Sequence, residues 1–186
     1  MSNVTKRALE ASLKRLLLQK PLTKITINDI TEDCGVSRMT FYYHFKDIYD
    51  LIEWCCIEDG ARALQGKKTS DTWQEGLMNV FQVMMENKSF ILNVYRNVSH
   101  EQIHNYLCKL VHGLILNVVE EKSKGMNVRT KDKQMIADFY EYAFVGVLLN
   151  WINQDMKEDP EYLVGCIARI MQGNLRRALE EFAVKE

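Results

Sequence analysis

Only two prolines, Pro21 and Pro160, interrupt a chain of 186 residues. Proline is the most reliable helix breaker, because it lacks an amide donor and its ring collides with the preceding turn. The long stretch between the two is free to run as helix after helix. Leu, Met, Lys and Glu, all good helix formers, are abundant in it. The expected fold class is all-α. With 47% hydrophobic residues, the chain can bury a substantial core, either as one compact domain or as a small head fused to a larger body.

No apolar run approaches the ~20 residues that a bilayer-spanning helix needs. Residues 1–20 scatter charges through their apolar positions and do not follow a signal-peptide layout. A cytoplasmic protein with no membrane partner is expected. The five cysteines, Cys34, Cys55, Cys56, Cys108 and Cys166, are odd in number and form no CxxC pair. They read as buried apolar thiols rather than a disulfide framework. Cys55 and Cys56 are adjacent, and adjacent residues on a helix point in different directions. A phosphate loop, a GxSxG elbow, an HExxH helix and a carboxylate pair with a basic partner are all missing from the sequence. The chain does not read as an enzyme, and no cofactor is expected.

Start and stop signals divide the chain. Thr5 to Gln19 is amphipathic, with Leu9, Leu13, Leu16 and Leu17 at helical spacing and Pro21 as its stop. Thr26 with Asp29 three residues on opens a second helix, which Gly35 closes after Cys34. Ser37 caps a short third helix from Arg38 to His44, and Asp47 caps a fourth over 48–64. Helices are expected at 72–86, 88–96 and 99–121, then a loop over 122–130. A long helix follows at 131–157, and Asp159-Pro160 opens a final one running to about Ala183. The expected division is a head over 1–47 and a helical body over 48–186.

Two short helices joined by a tight glycine-containing turn make a helix-turn-helix. Its second helix enters the major groove, and its first crosses the backbone. In the second helix, Phe41 and Phe45 can anchor the inner face, which leaves Arg38, Met39, Thr40, Tyr43 and His44 to point outward. Two adjacent tyrosines, Tyr42 and Tyr43, are hard to explain as core, and tyrosine hydroxyls commonly bind phosphate. The charge distribution agrees. Residues 1–47 hold eight Lys/Arg and five Asp/Glu, so 8 − 5 = +3, against −1 for the whole chain.

The stretch from Ile25 to Asp47, with Gly35-Val36-Ser37 as its turn and Tyr42-Tyr43-His44-Phe45 at its end, resembles the head of TetR-type transcriptional regulators. The resemblance covers about residues 5–64. It implies that Thr26 and Ser37 sit near phosphates, that Arg38, Met39, Thr40 and Tyr43 face base edges, and that Tyr42 and His44 lie on or beside the backbone. Two positions depart from the common pattern. Met39 stands where many members have glycine, which suits contact with a thymine methyl. Ile48 stands where many use lysine on phosphate, so Lys46 is the residue expected to replace that contact. Phe41 to Leu51, with Gly146, Trp151 and Pro160-Glu161, is more loosely similar to a subgroup that includes regulators of dihydroxyacetone kinase genes. Some of these take their signal from a partner protein.

The wide apolar stripe Ile136, Phe139, Tyr140, Ala143, Phe144, Val147, Leu148, Trp151 exceeds what one neighbour covers. The last two long helices are therefore expected to form a four-helix bundle with their symmetry mates, giving a homodimer on a palindromic operator. The effector is either a small molecule or a partner protein. Trp54, Arg62, Tyr95, Arg96, His100, His104 and Tyr140 are the candidate pocket residues. His100, His104, Cys108 and His112 recur every four residues along about 18 Å of one helix. At most an adjacent pair could share an ion, with further ligands from elsewhere, so no metal is expected. The competing reading is a helical adaptor that binds only protein.

Overall fold

The structure is a computed structural model that describes residues 2–184. Its helices are α1 Ser2–Leu17, α2 Ile27–Cys34, α3 Arg38–His44, α4 Ile48–Ala63, α5 Trp73–Glu86, α6 Lys88–Asn97, α7 His100–Lys122, α8 Thr130–Asn153, α9 Pro160–Met171 and α10 Asn174–Phe182. A single 3₁₀ turn covers Leu22–Lys24. There is no strand among the described residues. One isolated bridge pairs Val128 with Ala183, where the C-terminal end crosses the loop before α8.

The caps expected from sequence hold the helix starts. Ser37 accepts from the Thr40 amide at 3.1 Å and Asp47 from the Asp50 amide at 2.9 Å. At the start of α7, Ser99 accepts from the Gln102 amide at 3.3 Å. Gly35 closes α2 at φ 71°, a left-handed conformation that costs glycine little. The final helix is not continuous. Gly173 stands at φ 77° and breaks it into α9 and α10. The helix expected over 131–157 also stops early, at Asn153. Asp155 and Met156 both adopt positive φ, at 56° and 55°. Two contacts hold that turn closed: the buried Met156 donates its N–H to the Trp151 carbonyl at 2.9 Å, and the Trp151 indole donates to the Glu158 carbonyl at 2.9 Å.

One hydrophobic core runs through the molecule. In the head, α1, α2 and α3 close on Leu9, Leu13, Ile30, Phe41 and Phe45, all buried. In the body, α7 and α8 are the most extensively packed pair. Phe81 of α5 meets Trp151 of α8 edge-on, with ring centroids 4.7 Å apart. α4 packs against α1 on one side and α5 and α7 on the other, so the packing continues across residue 47.

α8 has two apolar faces. Ile136, Ala137, Phe144, Val145, Leu148 and Trp151 are buried, while Met135, Phe139 and Tyr142 lie open on the other side. By length and composition α8 could cross a membrane. Half of its apolar window is nevertheless packed inside the molecule, and Asp138 and Glu141 interrupt it. It is a core helix with one face uncovered. Tyr162 and Ile170 of α9 are also exposed.

Candidate DNA interface

α3 is short, and its two faces differ sharply. Phe41 is completely buried and Phe45 nearly so, their centroids 5.9 Å apart. Burying two such rings fixes the rotation of the helix, since truncating one buried Phe typically costs about 3–5 kcal/mol. The opposite face carries Arg38, Met39, Tyr42, Tyr43 and, just past the helix end, Lys46, all exposed. Met39 is 78% exposed and Tyr43 82%. Large apolar or amphipathic side chains held this far into solvent have no folding role, which fits a surface shaped for a partner.

Thr40 and His44 are half-buried at the edge of this face. The Thr40 hydroxyl is 2.9 Å from that of Ser37, and the His44 ring meets Tyr43 edge-on at 4.9 Å. Thr26 is exposed at the start of α2 but engaged. Its N–H and its hydroxyl both donate to Asp29 Oδ2 at 2.7 Å, and the Asp29 amide donates back at 3.2 Å. Hydrogen bonds from Lys20 and Thr26 hold the Asp29 carboxyl down to about 2.

The head's basic residues separate by pairing. Arg7 reaches Glu10 at 2.8 Å and Glu58 at 2.7 Å, Lys14 reaches Glu10 at 2.8 Å and Asp59 at 2.6 Å, Arg15 reaches Asp33 at 2.5 Å, and Lys20 reaches Asp29 at 2.9 Å. Lys6 lies 5.5 Å from the ring centroids of both Phe45 and Trp54. Lys24, Arg38 and Lys46 have no carboxylate partner among the described residues. Two of these three bracket α3, so the unneutralised charge lies beside the exposed face. The third, Lys24, is exposed just before the Thr26 cap.

Comparison with known proteins agrees with this geometry. Residues 10–55 match the family model described as bacterial regulatory proteins, tetR family, and residues 71–173 match a transcriptional regulator C-terminal region. The chain belongs to the tetR family of bacterial regulators. It is 24% identical over 102 residues to the HTH-type dhaKLM operon transcriptional activator DhaS of Lactococcus lactis, a match spanning 53% of this chain and 54% of that one. It is 22% identical to the HTH-type transcriptional regulator YerO of Bacillus subtilis, over all of this chain and 71% of that one. Among solved structures, a dihydroxyacetone kinase operon activator DhaS superposes with TM-score 0.73 at 18% identity, covering 97% of this chain and 99% of that one. NalD of Pseudomonas aeruginosa, a secondary repressor of the MexAB-OprM efflux pump, gives 0.54 at 12% identity over the full length of both chains.

In this tetR-family body, the seven candidate pocket residues do not converge. Trp54 sits at the joint between head and body, 5.8 Å from the Phe45 ring and with the Arg7 guanidinium 4.9 Å from its own ring centroid. Arg62 turns to Glu10 and Asp59. Arg96 pairs with Asp155 on the surface at 2.8 Å. His100 stacks on Tyr95 at 5.3 Å and His104 on Tyr142 at 5.8 Å. Tyr140 lines a small crevice with Trp73 and Phe144. Only Tyr95 reaches the central cavity between α4, α5, α6 and α7, whose walls include Cys56, Asp59, Gly60, Phe90, Tyr106 and Leu110. Burial pushes the Cys56 thiol and the Tyr106 hydroxyl up to about 12. The cavity holds about 60 Å³. The cavity walls are mostly apolar, and Asp59 of α4 is among the few polar residues in them.

Proposed function

We propose that this chain binds an operator in duplex DNA as a homodimer, with α3 in the major groove, and that a signal received by the body controls binding. The exposed face of α3, flanked by unpaired Arg38 and Lys46 while most other bases of the head are neutralised, carries this reading. Arg38, Met39, Thr40 and Tyr43 read bases. Ser37, Tyr42, His44 and Lys46 hold phosphates, as does Thr26 once Asp29 releases it. The exposed stripe on α8, with the open positions on α9, is the dimer surface. Two heads then meet successive major grooves about 34–36 Å apart, or a multiple of that, on a palindrome. The protein works in the cytoplasm, where the DNA is. The family's members are transcriptional regulators, and nothing in the head suggests a catalytic role.

Asp59 supports a route between body and head. It forms part of the cavity wall and also accepts from Lys14 of α1 at 2.6 Å. A cavity of about 60 Å³ is smaller than the several hundred Å³ of typical small-molecule pockets. An effector must therefore widen it, moving α4 and with it the Lys14 contact.

The test is anisotropy titration of the full chain with labelled duplex from the DNA flanking its own gene, over a range of salt. Affinity should fall steeply with salt. Arg38→Ala should cost about 1–3 kcal/mol and relax base preference, while Tyr42→Phe should weaken all sequences alike. Wild-type-like binding by both variants, or no retention on any duplex, would reject the assignment in favour of a protein-binding adaptor.

A further inference from the structure

One group of ligating side chains lies outside both the head and the cavity. His112 of α7 and Asp138 and Glu141 of α8 bring one ligand atom each to within 4.8 Å of one another. His112 Nδ1 is 2.6 Å from Glu141 Oε2. Asp138 accepts from the Gln134 side chain at 2.8 Å through Oδ1, which leaves its second oxygen uncommitted. Asp138 and Glu141 are three apart on α8, so both face α7 from the same side.

Two features separate this group from an ordinary ion pair. First, Glu141 is buried, yet neither it nor Asp138 has a Lys or Arg partner among the described residues. Two carboxylates beside one imidazole leave an excess of negative charge, which is costly at a partly buried position. Elsewhere in the molecule the buried acids Glu10, Asp59 and Asp132 are each met by a Lys or Arg. Second, two other members of the α7 series, His100 and His104, stack on tyrosines, while Cys108 lies between His104 and Glu141. The ligands that the series lacked come instead from the facing helix.

The geometry points to a binding site for a divalent first-row transition-metal ion held by His112, Asp138 and Glu141. One imidazole nitrogen and two carboxylate oxygens suit zinc, manganese or cobalt. They suit copper(I), which prefers sulfur, poorly, and magnesium, which prefers oxygen and water, no better. The ligand bonds would be about 2.0–2.2 Å, so the 2.6 Å contact between His112 and Glu141 must open to admit the ion, by small side-chain rotations. The His112 side chain is 43% exposed, which gives the ion an entry path and leaves its remaining positions to water. The ion would bridge α7 and α8 beside Phe139 and Tyr142, at the edge of the uncovered face.

The test uses the full chain without a histidine tag, stripped with chelator and then given Zn²⁺ or Co²⁺. We expect about one ion retained per chain, visible d–d absorption with Co²⁺, and a raised melting temperature with Zn²⁺ but not Mg²⁺. His112→Ala and Asp138→Asn should each weaken binding by more than about tenfold, whereas His100→Ala should leave it unchanged. Asp138 is only half-buried, so its variant should fold even where a change at Glu141 disturbs packing. Failure to retain either ion, or equal retention by His112→Ala and Asp138→Asn, would overturn the site. Neither result bears on DNA binding, which is measured separately.

Discussion

Lys14 shows how much can depend on one side chain. Its ammonium lies between Glu10 and Asp59, both buried. Burial opposes ionisation of Glu10, yet hydrogen bonds from Lys14 and Arg7 outweigh it and hold that carboxyl below the usual range. Burial pushes the Asp59 carboxyl up, against the pull of Lys14. Removing the cation leaves two carboxylates facing each other out of water. Lys14→Met should therefore destabilise by about 3 kcal/mol, read as a lower urea midpoint. A loss under about 1 kcal/mol would mean that Arg7 and Arg62 take over. Asp29 makes a second prediction, at a half-buried site. Its carboxyl is lowered to about 2, below its unfolded value of about 3.9. Its contribution is thus complete above about pH 4 and lost as pH falls towards 2. In Asp29→Asn, acid unfolding followed by circular dichroism should be shallower over that window.

Among the elements, α3 was the most legible, because what defines it is local. Ser37 caps it, Phe41 and Phe45 anchor it, and Gly35 turns the chain into it, all within eleven residues. The break between α9 and α10 was not legible in the same way. Gly173 sits in a run that continues the helical pattern, and only the return of α10 onto α7 and α8 selects its left-handed conformation. α5 holds a less visible constraint. A methyl group at Gly76 would lie 2.5 Å from the Lys67 backbone carbonyl. Alanine favours helix by up to about 1 kcal/mol over glycine. Gly76→Ala should nevertheless destabilise, by about 1–3 kcal/mol, because the helix is seated against backbone that cannot rotate aside. Thermal denaturation checks this, and a raised melting temperature would show that the loop yields.

At the scale of the molecule, the open face of α8 is the clearest unfinished surface. Met135, Phe139 and Tyr142 recur three to four residues apart, and Phe139 is 66% exposed. If this stripe is the dimer surface, Phe139→Glu should shift the protein to monomer in analytical ultracentrifugation, with its helix content intact. DNA affinity should then fall together with dimer content, because one head grips only one half-site. A dimeric Phe139→Glu variant would place the interface elsewhere.

The sequence by itself determined the helical class, the head and most helix starts. Proline scarcity, caps, aromatic anchors and apolar spacing act over a few residues, and their physics is complete within a short window. Only the tertiary structure decided which bases of the head stay unpaired, since Lys14 finds Asp59 across 45 residues of chain. It likewise decided that the cavity has apolar walls, that one face of α8 is covered and the other open, and that His112 meets Glu141 rather than its own helix neighbours. These are outcomes of helices packing on one another, and no local pattern encodes which residue of a distant helix will arrive.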